Sequence, residues 1–213
     1  MSSSKKQSHF VAIPKNDGGS LVHRKKNLGF IAIPKCASTS ITGYLWQLQG
    51  WKSFFYTKHQ TRRMPATAAE PFEYESPDLE LFTVVRHPLS WIQSGYLMMK
   101  QKFHCDIPFD LHVEHLLAGT NPIENIHLQD TWRWHCSLLP DAHIGSFKPR
   151  IFRVEQLDDL HAWITAKFPK AAAMPIPVRN NSSKTEPIEI SPSTRQRIAQ
   201  FAGAYAHRFG YEL

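Results

Sequence analysis

The sequence lacks the features that mark membrane proteins and disulfide-rich secreted proteins. No apolar run approaches the roughly 20 residues that a membrane helix needs, so we expect no transmembrane segment. The three cysteines form no CxxC pair, and no apolar stretch follows the first polar residues as a secretory signal would require. We therefore expect reduced thiols and a cytoplasmic protein. With 42% hydrophobic and 20% charged residues, the 213-residue chain has the composition of one globular domain.

Positive charge is concentrated near the N-terminus. The formal net charge is +7, and residues 1–27 contribute +5 of it through six basic residues and one acidic residue. A nucleic-acid-binding domain usually carries a basic stripe on its folded surface, so this pattern argues against nucleic acid as a partner. We interpret residues 1–20 as a basic, partly disordered arm and residues 21–213 as a single domain. The arm is either a solubilising tail or a weak peripheral contact with an anionic substrate or membrane surface.

Short apolar runs alternate with helical patterns along the domain. The β-branched runs at 29–33, 81–85 and 151–154 are each followed by a segment of helical periodicity. Such a repeat of strand, loop and helix predicts an α/β fold with a central parallel sheet flanked by helices. An Asp-Gly-Gly turn also predicts a hairpin between residues 10–13 and 21–23. Ligands of parallel sheets bind beyond the carboxyl ends of the strands, so the polar residues there are candidates for a functional site.

The loop after the first of these strands has the residues of an anion-binding site. Residues 31–41 read Ile-Ala-Ile-Pro-Lys-Cys-Ala-Ser-Thr-Ser-Ile, which predicts a strand, a tight loop and a helix start. A helix start offers unpaired N–H groups and the positive end of the helix dipole to an anion. The loop does not match GxxxxGK[ST], whose lysine stands at the helix end, and this disfavours an ordinary kinase or ATPase. The alternative interpretation is a strand followed by a helix capped by serine or threonine.

These residues resemble a known motif. Pro-Lys-x-Ala-Ser-Thr-Ser after a strand is similar to the 5′-phosphosulfate loop of sulfotransferases that use 3′-phosphoadenosine 5′-phosphosulfate (PAPS). The likeness is to the carbohydrate branch that includes heparan sulfate 2-O-sulfotransferase. It implies a P-loop-like three-layer sandwich, PAPS as the co-substrate with the bisphosphate PAP as its product, and no metal. It also implies that Lys35 contacts the bridging oxygen or the leaving phosphate, and that the cofactor-binding residues of the loop are Lys35, Ala37, Ser38, Thr39 and Ser40.

A second motif follows the second predicted strand. Arg86 stands at the strand end, and Ser94 lies eight residues later on the following helix. Family members have an arginine and a serine at this spacing, both on the 3′-phosphate, and the planar guanidinium suits paired bonds to phosphate oxygens. Many relatives read Arg-Asp-Pro with a second arginine in the helix, whereas this chain has His87 and Trp91, which indicates a divergent subgroup. Ser90 is a weaker candidate, and a salt-bridged surface arginine beside an ordinary helix serine is the alternative.

Weaker similarities to the family continue toward the C-terminus. The segments 153–157, 180–184 and 209–211 resemble its strand–acid–helix step, its Asn/Ser loop and its closing Phe-Gly-Tyr. The resemblance touches most of residues 20–213 and is weakest at about 100–150.

Sulfuryl transfer to an alcohol requires a base that removes the hydroxyl proton. His59 is the candidate, because it follows an aromatic strand-like segment where carbohydrate relatives place a catalytic histidine. His127 is the alternative base, and a structural role for His59 stays open. Glu155 is less favoured, because an acid at that position can pair internally. Cys105, near two histidines, lacks a second matched pair of zinc ligands, so we predict no metal site.

The sequence therefore predicts a PAPS-dependent sulfotransferase whose catalytic residues are His59 and Lys35. Its partner is a carbohydrate or another hydroxyl acceptor. Two other functions stay open: a non-catalytic nucleotide-binding or scaffold protein of the same fold, and a P-loop-like kinase. The sequence carries no signal for a particular oligomeric state.

Overall fold

The computed structural model describes residues 20–33, 35–53, 78–118, 120, 148–177 and 188–213. Within these ranges five strands form one sheet in the order β3-β1-β2-β4-β5. The strands are β1 (Leu21–His23), β2 (Leu28–Ile31), β3 (Lys52–Ser53), β4 (Glu80–Val85) and β5 (Arg150–Arg153). The α-helices are α1 (Ser38–Gln47), α2 (Pro88–Phe103), α3 (Phe109–Ala118), α4 (Leu157–Lys167) and α5 (Pro192–Phe209).

The sheet is mixed rather than wholly parallel. Strands β2, β4 and β5 run parallel, whereas β1 is antiparallel to both β2 and β3. The predicted parallel sheet is thus confirmed for the three strands from which it was inferred, whereas the antiparallel edge of β1 and β3 lay outside that prediction. A 3₁₀ turn at Arg24–Lys26 and a left-handed Asn27 (φ 48°) reverse the chain between β1 and β2 and make these two strands antiparallel. Asparagine tolerates that conformation better than most residues. The proposed hairpin partner of β1, residues 10–13, lies outside the described residues.

Helices pack on both faces of the sheet. On one face Phe30, Phe82 and Phe152 form a core with residues of α1 and α4. On the other face Ile33 and Val85 form a core with residues of α2, α3 and α5. This division follows from the alternation of side chains along each strand, which sends neighbouring residues to opposite faces. The predicted α/β class is confirmed.

The helix starts follow from local sequence signals. Pro88 is the first residue of α2 and Pro192 the first residue of α5, where a missing N–H costs nothing. The Ser191 hydroxyl accepts a hydrogen bond from the Thr194 N–H at 3.2 Å and so caps the last helix. No helix in the described ranges combines the length and the apolar character needed to cross a bilayer.

Candidate functional site

The loops that follow β2, β4 and β5 meet at one edge of the sheet. Because these three strands are parallel and in register, their carboxyl ends lie side by side. One side-chain contact joins the first two loops: Nη1 of Arg86 donates to the carbonyl oxygen of Lys35 at 3.2 Å. A second joins the last two: the backbone N–H of His87 donates to Oε1 of Glu155 at 3.0 Å. The two motifs singled out in the sequence are therefore in contact.

The loop after β2 has an unusual backbone. Lys35 (φ 64°) and Ala37 (φ 56°) are both in the left-handed region, although neither is glycine. Such conformations cost on the order of 1–3 kcal/mol each and persist where the surrounding structure enforces them, often at functional sites. Cys36 anchors the turn, because its side chain is 1% exposed and its N–H donates to the carbonyl of Ile33 at 3.2 Å. Backbones that alternate in hand in this way make concave anion-binding nests.

The first turn of α1 faces this loop without a side-chain cap. The N-cap position is Ala37, whose methyl group cannot accept a hydrogen bond from the helix N–H groups. The hydroxyl residues instead lie inside the first turn, where Ser38 and Thr39 are partly exposed and Ser40 is buried. The alternative of a helix capped by serine or threonine is therefore wrong. Helix starts of this kind satisfy their N–H groups with water or with a ligand.

Arg86 stands directly after the last residue of β4 and is held through its main chain. Its N–H donates to the hydroxyl of Tyr205 at 3.3 Å, and that hydroxyl donates to the Arg86 carbonyl at 2.8 Å. Ser94 is partly exposed on α2, six residues after Pro88, which is about 9 Å along the helix axis. Trp91 is 3% exposed and belongs to the core.

A second cluster lies beside Arg86 and centres on Glu155. Its Oε2 accepts a hydrogen bond from the Tyr211 hydroxyl at 3.0 Å, in addition to the bond from the His87 N–H. The His87 ring meets the Tyr211 ring edge-on at 5.4 Å, and its Nε2 lies 2.7 Å from the carbonyl oxygen of Glu212. The Arg153 guanidinium lies 5.0 Å from the centre of the Tyr211 ring. Glu155 thus pairs internally, which weakens it further as a candidate base.

Burial keeps the hydroxyl and thiol groups of this region protonated. Removal from water raises the pKa of Tyr205 and of Tyr211, and the negative charge of Glu155 adds to the effect. A tyrosine hydroxyl with the ordinary pKa of about 10 is already protonated at neutral pH, so both phenols act as hydrogen-bond donors. Burial likewise raises the pKa of the Cys36 thiol, although the neighbouring Arg86 charge opposes the shift. Cys36 is a packing residue rather than a nucleophile.

Both candidate bases, His59 and His127, lie outside the described residues, and their roles stay predictions. The site roles predicted for Lys35, the 37–40 loop, Arg86 and Ser94 also stay predictions, although the structure gives the positions above. His112, one of the two histidines near Cys105 in the sequence, is buried against the rings of Tyr96 and Phe109. Within the described ranges no group of three His, Cys, Asp or Glu residues could hold a metal ion.

Sequence reasoning missed Tyr205 as a partner of the site. On α5 it occupies a buried position that periodicity does not distinguish from any other core aromatic. The closing Phe-Gly-Tyr, noted as a resemblance, was the one available signal that the C-terminus belongs to this region. The role of this segment could not be predicted from the sequence, because it depends on contacts between residues more than 50 positions apart, such as Tyr211 and Glu155.

Comparison with known proteins identifies the protein family to which the chain belongs. The model of the sulfotransferase family matches residues 19–201, which is most of the chain. The chain therefore belongs to the sulfotransferase family, and this membership makes it a transferase and supports sulfuryl transfer as its activity. Searches of curated proteins and of solved structures found no match.

Proposed function

We propose that the protein transfers the sulfuryl group of PAPS to a hydroxyl group of a carbohydrate acceptor. The observation that carries the proposal is the 3.2 Å contact between the Arg86 guanidinium and the Lys35 carbonyl. It brings the residues suited to the two phosphate ends of one nucleotide to the same edge of the sheet, where ligands of parallel sheets bind.

The 35–40 turn suits the 5′-phosphosulfate end. Its left-handed residues and the helix start without a side-chain cap direct backbone N–H groups and a positive dipole end toward an anion. Ser38, Thr39 and Ser40 add hydroxyl donors, and Lys35 adds a positive charge. In this proposal Lys35 stabilises the negative charge that develops on the leaving phosphate, an electrostatic role that is often the largest in catalysis.

Arg86 and Ser94 suit the 3′-phosphate. A guanidinium forms paired, charge-assisted bonds to phosphate oxygens, and Arg86 is partly exposed at the strand end. Ser94, on the helix that starts two residues after Arg86, supplies a hydroxyl donor. A site with both groups would prefer a nucleotide that carries a 3′-phosphate over one that lacks it.

PAPS supplies the activated sulfuryl group, and the chain supplies the base. His59 is the proposed base, with His127 as the alternative, and either would accept the proton of the acceptor hydroxyl as the new S–O bond forms. A carbohydrate acceptor is proposed because the loop resembles the carbohydrate branch of the family.

The test combines a binding measurement and a transfer measurement. We expect calorimetry to show saturable PAP binding that Arg86→Ala weakens about 10- to 100-fold, since a bond to a charged group contributes about 1.5–3 kcal/mol. Arg197→Ala is the matched control, because Arg197 is a half-exposed arginine paired with Glu114 rather than with the strand end. Incubation with sulfur-labelled PAPS and an oligosaccharide panel should then yield labelled product.

Other results would contradict the proposal. PAP binding without transfer to any hydroxyl would indicate a non-catalytic nucleotide-binding protein. Transfer of label from ATP but not from PAPS would indicate a kinase.

A further inference from the structure

The end of β4 is held by side chains from the C-terminal part of the chain. The pairing of β4 with β5 ends at Val85 and Arg153. The next three polar groups of the main chain are the N–H and carbonyl of Arg86 and the N–H of His87. All three bond to side chains: the first two to Tyr205, and the third to Glu155. The backbone that carries the Arg86 side chain is therefore fixed by residues far away in sequence.

Tyr205 is well suited to hold this position. Its side chain is 1% exposed, and its single hydroxyl both accepts from the Arg86 N–H and donates to the Arg86 carbonyl. The ring packs against Phe209 at 4.7 Å and lies parallel to the Tyr211 ring at 6.2 Å. A tyrosine has only two side-chain torsions, so a packed ring places its hydroxyl with little freedom.

Tyr211 and Glu155 hold the next residue of the chain, His87, in a similar way. The Tyr211 hydroxyl donates to the carboxylate that receives the His87 N–H, and the Arg153 guanidinium lies over the Tyr211 ring. The two tyrosines thus hold adjacent residues of the strand end, one directly and one through Glu155.

The position of Arg86 matters because its guanidinium bonds to the Lys35 carbonyl within the left-handed turn. A shift of the strand end would move the guanidinium relative to that turn. A difference of about 1 Å at a binding group is enough to weaken a bidentate contact.

We propose that Tyr205 is a positioning residue for Arg86: it fixes the direction of the guanidinium and so sets the preference of the site for a nucleotide with a 3′-phosphate. Tyr205 acts through Arg86 and does not itself touch the ligand. The inference rests on the proposed function, because only there is the 3′-phosphate the ligand of Arg86.

The test compares two substitutions that each remove one buried hydroxyl. Tyr205→Phe removes the two bonds to Arg86. Tyr96→Phe is the matched control, because Tyr96 is 8% exposed, belongs to the same core, and donates to the Ile107 carbonyl at 2.9 Å. For each protein the dissociation constants of PAP and of adenosine 5′-monophosphate (AMP), which lacks the 3′-phosphate, are measured by calorimetry, and the melting temperature is recorded.

We expect Tyr205→Phe to weaken PAP binding about five- to tenfold, which corresponds to about 1–1.4 kcal/mol, and to leave AMP binding nearly unchanged. The ratio of the two constants should therefore fall. Tyr96→Phe should lower the melting temperature and leave the ratio as in the wild type. In an Arg86→Ala background, Tyr205→Phe should cause no further loss of PAP affinity.

The outcomes distinguish a failure of the proposed function from a failure of the positioning role of Tyr205. If the wild type does not prefer PAP over AMP, the proposed function fails and the positioning role fails with it. If the wild type prefers PAP and Tyr205→Phe keeps the full preference, the positioning role alone is refuted. Should Tyr205→Phe alone not fold, the same ratio is measured in a Gly203→Ala background, which should stabilise α5 because a Cβ at Gly203 meets nothing within 4 Å: a reduced preference would support the positioning role, and an unchanged preference would overturn it.

Discussion

Substitution by alanine should have opposite effects on stability at two glycines near the end of the chain. Gly203 lies inside α5, and a Cβ added there would meet nothing within 4 Å. Gly210 ends the same helix in the left-handed conformation (φ 66°), and a Cβ there would come within 2.6 Å of Nη2 of Arg153. We expect Gly203→Ala to stabilise the protein and Gly210→Ala to destabilise it.

The magnitudes follow from the two environments. Alanine in a helix interior is favoured over glycine by about 0.8–1 kcal/mol, which sets the gain at Gly203. At Gly210 the left-handed conformation costs alanine about 1–2 kcal/mol. The Arg153 tip can move away, but it then leaves the Tyr211 ring, and this contact is worth about 0.5–1 kcal/mol. The two variants should differ by about 2.5–4 kcal/mol.

Thermal and urea unfolding of the two variants beside the wild type measure this difference. For a chain of this length the melting temperatures should lie about 5–15 °C apart, on either side of the wild type. A shift of the melting temperature in the same direction for both substitutions would contradict the prediction. Gly210→Asn offers a further check, because asparagine tolerates the left-handed region and should lose less than alanine.

Three further predictions concern the site and the core. Lys35→Ala should lower kcat about 100-fold or more while the protein melts near the wild-type temperature, and Lys170→Ala, on an exposed turn, should change neither. His59→Ala should lower turnover about 10²- to 10⁴-fold with little change in PAP affinity; wild-type turnover in this variant together with loss in His127→Ala would move the base to His127. Burial, with a smaller effect of His115, lowers the pKa of His112 to about 3 from an ordinary 6.5. Because the unfolded chain then binds the extra proton, stability should be complete above pH 6.5 and fall toward pH 3, by at most about 1.4 kcal/mol per pH unit. Urea unfolding across this range should show the decline, and His112→Phe should flatten it; an unchanged slope would contradict the assignment.

The three parallel strands and the helices that follow them could be predicted because their signals are local. Runs of β-branched residues mark the buried strands, and a helical periodicity follows each run. The antiparallel edge of β1 and β3 was not predicted as part of this sheet, because strands of three and two residues are too short to show a periodic pattern.

Some features of the candidate site could likewise be predicted from the sequence, and others could not. The residue types of the 35–40 loop and of Arg86 and Ser94 could be read directly, since their chemistry and spacing suit an anion. The left-handed conformations of Lys35 and Ala37 could not be predicted from the sequence. Short-range preferences favour other conformations at both residues, and only the packed surroundings enforce the left-handed ones.

The α/β class, the resemblance to sulfotransferases and the residues that follow each strand can all be read from the order of the amino acids. The bond from Arg86 to the Lys35 carbonyl, and the contact by which Tyr205, 119 residues away, holds the Arg86 backbone, depend on how the chain is folded. A hydrogen bond requires a distance of about 3 Å and a suitable direction. Parallel strands bring such groups together across the sheet, whereas sequence patterns report only neighbours along the chain.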